Sequence, residues 1–285
     1  MPATATPTPV VRKPAKGRPT KHRVKAARAT ATATSTSTPK PAPRTSNSAG
    51  RKSVIQPTPT VRPTPIPQLR ALTAAAPLHL LVTGDSLTGY LGPILINEAA
   101  SAGAVKGYVD THNGTGLTRP DFVDWSVVAQ QQVTSDHPDA VVVMMGGNDF
   151  QNMTLPNGAF FQAGTPAWTK EYQRRAEICM RIWTQGGKAR VYWLSMVPAR
   201  NTDWAHDDGQ INIALRRAAA DVPGAEYLNI LGPVTVHGRY SDFVNQNGQP
   251  VLIREQDGVH LNAAGSTIVA KEVLTVLERE WRFGA

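Results

Sequence analysis

Leu80-Leu81-Val82-Thr83-Gly84-Asp85-Ser86-Leu87-Thr88 is the stretch that decides the fold. A short apolar run breaks at Gly84, a hydroxyl follows at Ser86, and an amphipathic pattern then places Leu91, Ile94 and Leu95 on one face. This order reads as buried strand, tight turn and helix. It sets Ser86 at the carboxyl end of a strand, where open α/β sheets hold their ligands. The helix that follows turns backbone N–H groups and the positive end of its dipole toward that serine. Ser86 is therefore a candidate nucleophile, and the rest of the chain has to supply a base and donors for a developing anion.

Outward from this stretch, strands alternate with helices. Residues 105–111 read as a second strand, and 140–145 as a strand covered on both faces, because its apolar run is almost unbroken. Residues 191–196 and 226–230 read as two more. Helices are predicted over 87–102, 121–133, 167–185, 211–220 and 263–281. Pro120 suits the start of the second, Gly186-Gly187 stops the third, and Asn262 is an N-cap for the last. Residues 150–166 and 198–208 read as loops, and 240–253 as a hairpin turning at Asn247-Gly248. The alternation, without internal repeats, predicts a three-layer α/β/α sandwich around a mostly parallel five-stranded sheet.

Four polar blocks follow the predicted strand ends or precede the last helix: Gly84-Asp85-Ser86-Leu87, Asn113-Gly114-Thr115-Gly116-Leu117, Gly146-Gly147-Asn148-Asp149 and Asp257-Gly258-Val259-His260. Each alone is an ordinary turn sequence; their order and placement carry the signal. A serine hydroxyl needs a base within hydrogen-bond reach. His260 can be that base, and Asp257, from the same turn, can accept the imidazole Nδ1–H and set its tautomer. Three donors are available for an oxyanion: the N–H groups of Ser86 and Gly116 and the side-chain amide of Asn148. Glycine at 116 permits a close backbone approach. Asp149 is expected to brace the turn after Asn148. A G-x-S-x-G elbow would need glycine where Thr88 stands, which argues against an α/β-hydrolase.

Together the blocks resemble the SGNH/GDSL hydrolase superfamily over residues 78–284. The stretch 115–121 and the ending Asp257-Gly258-Val259-His260-Leu261 look like an exported bacterial branch, related to esterase-like domains of cell-envelope polysaccharide acetylation systems. The resemblance implies a flavodoxin-like sheet order, a catalytic Ser86, Asp257 and His260, and an oxyanion hole from Ser86, Gly116 and Asn148; Gly116 fits the family better than Gly114. It implies a serine esterase acting on small acyl esters, O-acetyl groups on an envelope carbohydrate foremost, as a monomer outside the cytoplasm. An acyltransferase with the same triad, or a non-catalytic envelope or nucleic-acid-binding protein, is the alternative. Phe160, Trp204 and Tyr240 are aromatics available to stack on a sugar.

No cofactor or metal is expected. There is no phosphate-cradling glycine loop, and His206-Asp207-Asp208 lacks a partner pair at ligand spacing and reads as a solvated loop. His22, His79, His112, His137 and His237 read as structural or surface residues, and Arg119 and Trp125 as shapers of the second block, with contact to substrate the alternative. The one cysteine, Cys179, has no disulfide partner and reads as a small buried hydrophobe.

Residues 1–77 differ in kind. They hold fourteen Lys/Arg and no Asp or Glu, so the rest of the chain carries 16 basic against 21 acidic residues and the net +9 belongs to this segment. Rich in Ala, Thr, Pro and Ser, it lacks the apolar surface to offset its ordering entropy. A disordered tail over 1–77 and one hydrolase-like domain over 78–285 are expected. The tail reads as a spacer that contacts an anionic cell-wall polymer or membrane surface. Lys16-Gly17-Arg18-Pro19 looks like the core of a minor-groove hook, but no aromatics are interleaved with the basic residues, and no nucleic acid is required. No run of about 18 apolar residues occurs, and no apolar signal-peptide segment follows Met1. Export is expected from the resemblance and the tail.

Overall fold

The computed structural model describes residues 71–283, apart from the side chains of 205–207. The tail expected over 1–77 lies outside the described residues up to 70. Residues 71–77 form a turn bridged between Thr73 and Ala76, and Leu72 packs against the core.

β1 (Leu78–Gly84) leads to α1 (Thr88–Ala102), β2 (Val105–Thr111), α2 (Trp125–Asp136) and β3 (Ala140–Met144). A short hairpin follows, β4 (Met153–Thr154) with β5 (Phe160–Phe161), inside the stretch read as a loop. Then come α3 (Pro166–Trp183), β6 (Arg190–Leu194), α4 (Thr202–Asp221), β7 (Ala225–Leu228) and the one-turn α5 (Leu231–Val234). The hairpin β8 (Phe243–Gln246) and β9 (Gln249–Leu252) turns at Asn247 and Gly248, both at positive φ as that tight turn requires. α6 (Ala263–Trp281) closes the chain, with the Asn262 side chain accepting from the Gly265 N–H at 3.0 Å.

The five main strands are parallel in the order β2-β1-β3-β6-β7. Leu80, Leu81 and Val82 of β1 and Ala140 to Val143 of β3 are all 0 % exposed, as strands covered on both faces must be. The chain goes outward from β1 to β2 and then returns across the sheet. Right-handed crossovers therefore send α1 to one face and α2, α3 and α4 to the other. The packing agrees: α1 contacts α6, while α3 contacts both α2 and α4. The order reverses between β1 and β3, so the crevice at their carboxyl ends lies at the switch point of the sheet.

Two boundaries differ from the sequence reading. α2 starts at Trp125, not 121, because the Asp124 side chain caps it, accepting from the Ser126 N–H at 2.9 Å. Residues 117–124 are held instead as a loop by side chains described below. α4 starts at Thr202, well before 211, since Asn201 caps it and accepts from the N–H groups of Asp203 and Trp204. Gly209 sits inside this helix without ending it. The solvated loop expected at 206–208 is thus helical, and the Asp208 carboxylate is buried and accepts from the Ala199 N–H at 3.2 Å.

Candidate active site

The site is built from the four polar blocks, which side-chain hydrogen bonds tie together. Ser86 follows β1 on a turn that needs glycine before it: Gly84 has φ +150°, and a Cβ there would overlap the carbonyl of Met144 on neighbouring β3. His260 Nε2 lies 2.8 Å from Ser86 Oγ, across 174 residues of chain. His260 Nδ1 lies 2.7 Å from Asp257 Oδ2. A carboxylate only accepts, so the imidazole proton sits on Nδ1; Nε2 is then an acceptor, and the Ser86 hydroxyl donates to it.

Asp257 Oδ1 also accepts from the N–H groups of Val259 at 2.8 Å and His260 at 3.0 Å. Partial burial pushes the Asp257 carboxyl up, but these N–H groups and the imidazole outweigh it and hold it below the usual carboxylate range. Two arginines fix the turn that carries it. Arg200 donates to the Gln256 carbonyl and to Asp242, and Arg254 donates to the carbonyls of Val259 and Pro198. Both guanidinium groups lie over the Tyr240 ring, and the Tyr240 hydroxyl donates to Asp242. Tyr240, expected as a sugar-stacking aromatic, is thereby occupied as a brace. Phe160 is exposed on β5.

Asp85 joins the first block to the third. Its side chain is fully buried and accepts from the N–H groups of Leu87, Gly146 and Gly147 at 2.8–2.9 Å, with the Asn148 amide at 3.4 Å. Burial pushes the Asp85 carboxyl up to about 6 against those N–H groups, and the nearby Asp149 charge adds to the rise.

Asp149 joins the third block to the second. It accepts from the N–H groups of Leu117 and Thr118, the Thr118 hydroxyl and the Tyr172 hydroxyl. Arg175, paired with the buried Glu171, donates to the carbonyls of Leu117 and Thr118 from the other side. The Asn148 amide donates to the Thr115 carbonyl at 2.9 Å, so it also ties the second block rather than standing free. The N–H groups of Ser86 and Gly116 have no acceptor among the described residues. Gly116 is buried, where an unpaired N–H is rare.

Residues 79–276 match the family described as "Protein of unknown function (DUF459)". The chain belongs to this family. The DUF459 family is SGNH hydrolase-like, in keeping with the resemblance of the four blocks. Among curated proteins none matches the chain. Solved structures similar to it include an acetyl esterase mutant with acetate ion, at 14 % identity over 71 % of this chain and 97 % of that one, TM-score 0.48. A carbohydrate esterase family 3 protein from Talaromyces cellulolyticus is similar at 14 % identity over 71 % and 97 %, TM-score 0.47. The esterase EstA from Pseudoalteromonas sp. is similar at 13 % identity over 70 % and 96 %, TM-score 0.48.

In this DUF459 chain, Ser86, Asp257 and His260 line an open hollow of about 430 Å³ together with Gly89, Tyr90, Glu255 and Leu261. A separate hollow of about 280 Å³ lies behind the second block, where Leu117, Trp125 and Cys179 form part of the wall. Cys179 is buried there, and burial pushes its thiol up to about 12. Trp125 packs edge-on against His112 and Trp183, and Arg119 pairs with Asp121 at the surface. Among the described residues no group of three or more His, Cys, Asp or Glu is arranged to hold a metal, and no helix is long and apolar enough to cross a membrane. Sequence reasoning gives no role to Asp85, Arg175, Arg200 or Arg254. Only Asp85, inside the first block, carried any local signal.

Proposed function

We propose that the protein is a serine esterase that hydrolyses small acyl esters, O-acetyl groups on a carbohydrate foremost, through an acyl-enzyme on Ser86. The observation that carries this reading is the continuous chain Ser86 Oγ to His260 Nε2 to Asp257 Oδ2, at 2.8 and 2.7 Å. Ser86 Oγ attacks the ester carbonyl carbon while its proton passes to Nε2, and the imidazolium is stabilised by the Asp257 carboxylate. The tetrahedral oxyanion takes the unpaired N–H groups of Ser86 and Gly116. Asn148 keeps one amide hydrogen on Thr115 and turns the other to the oxyanion, away from Asp85, whose carboxylate lies 3.4 Å from the Asn148 Nδ2. The C–O bond to the alcohol then breaks, and Nε2–H protonates the leaving oxygen. Water gives a proton to Nε2 as its oxygen attacks the acyl carbon; the bond from that carbon to Ser86 Oγ then breaks, Nε2–H returns the proton to Oγ, and the carboxylic acid leaves.

The side chains of His260 and Asp257 are 32 % and 48 % exposed. Water reaches such a site readily, which favours hydrolysis over transfer to a second alcohol. Every group invoked belongs to one chain, so a monomer suffices. The bacterial envelope as setting, with the basic segment 1–77 on an anionic polymer, is part of the proposal; loss of binding to a cell-wall preparation on deleting residues 1–70 would support it. The decisive experiment compares wild type with Ser86→Ala on a chromogenic acetyl ester. A fall of roughly 10⁴-fold or more in kcat is expected, and equal rates would remove Ser86 as the nucleophile.

A further inference from the structure

One aromatic pair stands outside the hydrogen-bonded framework of the site. The rings of Phe150 and Trp204 lie parallel, 5° apart in plane and 5.7 Å between centroids. Trp204 is 41 % exposed, whereas the other five tryptophans are 3 % exposed or less. Phe150 is half-buried and packed against the core, so Trp204 is the outer ring of the stack.

Its location ties the pair to the reacting groups. Phe150 follows Asn148 by two residues, so their Cα atoms lie within about 7 Å. Trp204 stands in the first turn of α4, four residues after Arg200. The Arg200 N–H donates to the Gly258 carbonyl at 2.8 Å and its guanidinium to the Gln256 carbonyl at 3.0 Å, the two residues that flank Asp257. The two rings thus come from segments anchored next to the third and the fourth block. Both backbones are held. Asn201 caps the helix under Trp204, Gln151 donates to the Asn148 carbonyl, and the Gln151 carbonyl accepts from the Trp168 indole.

A flat aromatic face, fixed in orientation and open to water, suits a partner that is itself flat, with apolar C–H on its face and polar groups around its edge. An acyl chain would be served by an enclosed slot instead. We infer that Trp204, seated on Phe150, is the specificity-determining surface for the alcohol half of the ester, and that this half is a pyranose ring. The inference rests on the esterase reading for the identity of the substrate, but the stacking itself does not need turnover.

Two measurements separate the two ideas. In the first, kcat/KM is determined for an O-acetylated oligosaccharide and for ethyl acetate, which has no ring. Trp204→Ala should lower the ratio of the two by about tenfold, through KM, and Trp204→Phe should recover part of it. An unchanged ratio overturns the inference while leaving the esterase intact. In the second, the acetylated oligosaccharide is titrated into Ser86→Ala while tryptophan emission is followed. A saturable change that vanishes in Ser86→Ala/Trp204→Phe supports the subsite even if the esterase reading fails; no change in Ser86→Ala overturns it.

Discussion

The Asp149 carboxylate occupies the space beside the Gly116 Cα that any side chain would need. Gly116 has no positive φ; what demands glycine is the packing of the buried carboxylate against the second block. The backbone close to Gly116 is thereby clamped by an acidic group 33 positions away in sequence.

Gly116→Ala follows directly from this relationship. Its Cβ would overlap the Asp149 carboxylate, which is tied down by hydrogen bonds from Leu117, Thr118 and Tyr172 and has little room to yield. A loss of about 1–3 kcal/mol in stability is expected, measured by urea denaturation. The Gly116 N–H would shift with the loop, and a fall in kcat of roughly 10²-fold should accompany it.

Asp257→Asn preserves shape and reverses the hydrogen-bond logic. The amide can still accept from the Val259 and His260 N–H groups, but its NH₂ would face Nδ1 and drive the proton to Nε2. Nε2 could then no longer accept from Ser86. Steady-state kinetics should show kcat reduced by roughly 10⁴-fold, with the melting temperature little changed because the turn is exposed.

Arg175→Met tests the support of the second block from α3. Arg175 and Glu171 are 9 % and 7 % exposed, and the guanidinium also holds the carbonyls of Leu117 and Thr118. Removing it leaves a buried carboxylate with Arg174 as its remaining charged partner, and two carbonyls that lose a donor. A cost of about 1–3 kcal/mol is expected from chemical denaturation, chiefly from the carbonyls left without a donor.

Asp85 should titrate far from an ordinary carboxyl. Burial raises it from 3.8 to about 6. Between those values the folded protein holds a proton that the unfolded chain has released. Its contribution to stability is therefore complete below pH 3.8 and declines as the pH rises through about 6, by roughly 3 kcal/mol in all. Burial moves Asp149 in the same direction. Carbon-13 NMR of the Asp85 carboxyl should give a midpoint near 6; a midpoint near 4 would contradict this.

The parallel sheet and most of its helices were legible in the chain, because a strand covered on both faces must be apolar throughout and a helix must end where glycine or a cap stops it. The buried strand within 140–145, the hairpin turn at Asn247-Gly248 and the Asn262 cap follow from such local rules. The starts of α2 and α4 differ from the sequence reading because Pro120 is a locally plausible start for α2, and the true caps, Asp124 and Asn201, act through a single side-chain acceptor.

Local chemistry also singled out Ser86, Asp257 and His260 as candidates, since each block needs only its own few residues to be recognised. Their separation was a matter for the tertiary structure alone: the 2.8 Å between Ser86 and His260 exists because β1 and the start of α6 share one rim of the sheet. The bracing by Asp85, Asp149, Arg175, Arg200 and Arg254 is likewise long-range. A buried carboxylate or guanidinium collects donors or acceptors from wherever the chain brings them, and no spacing along the sequence records that choice.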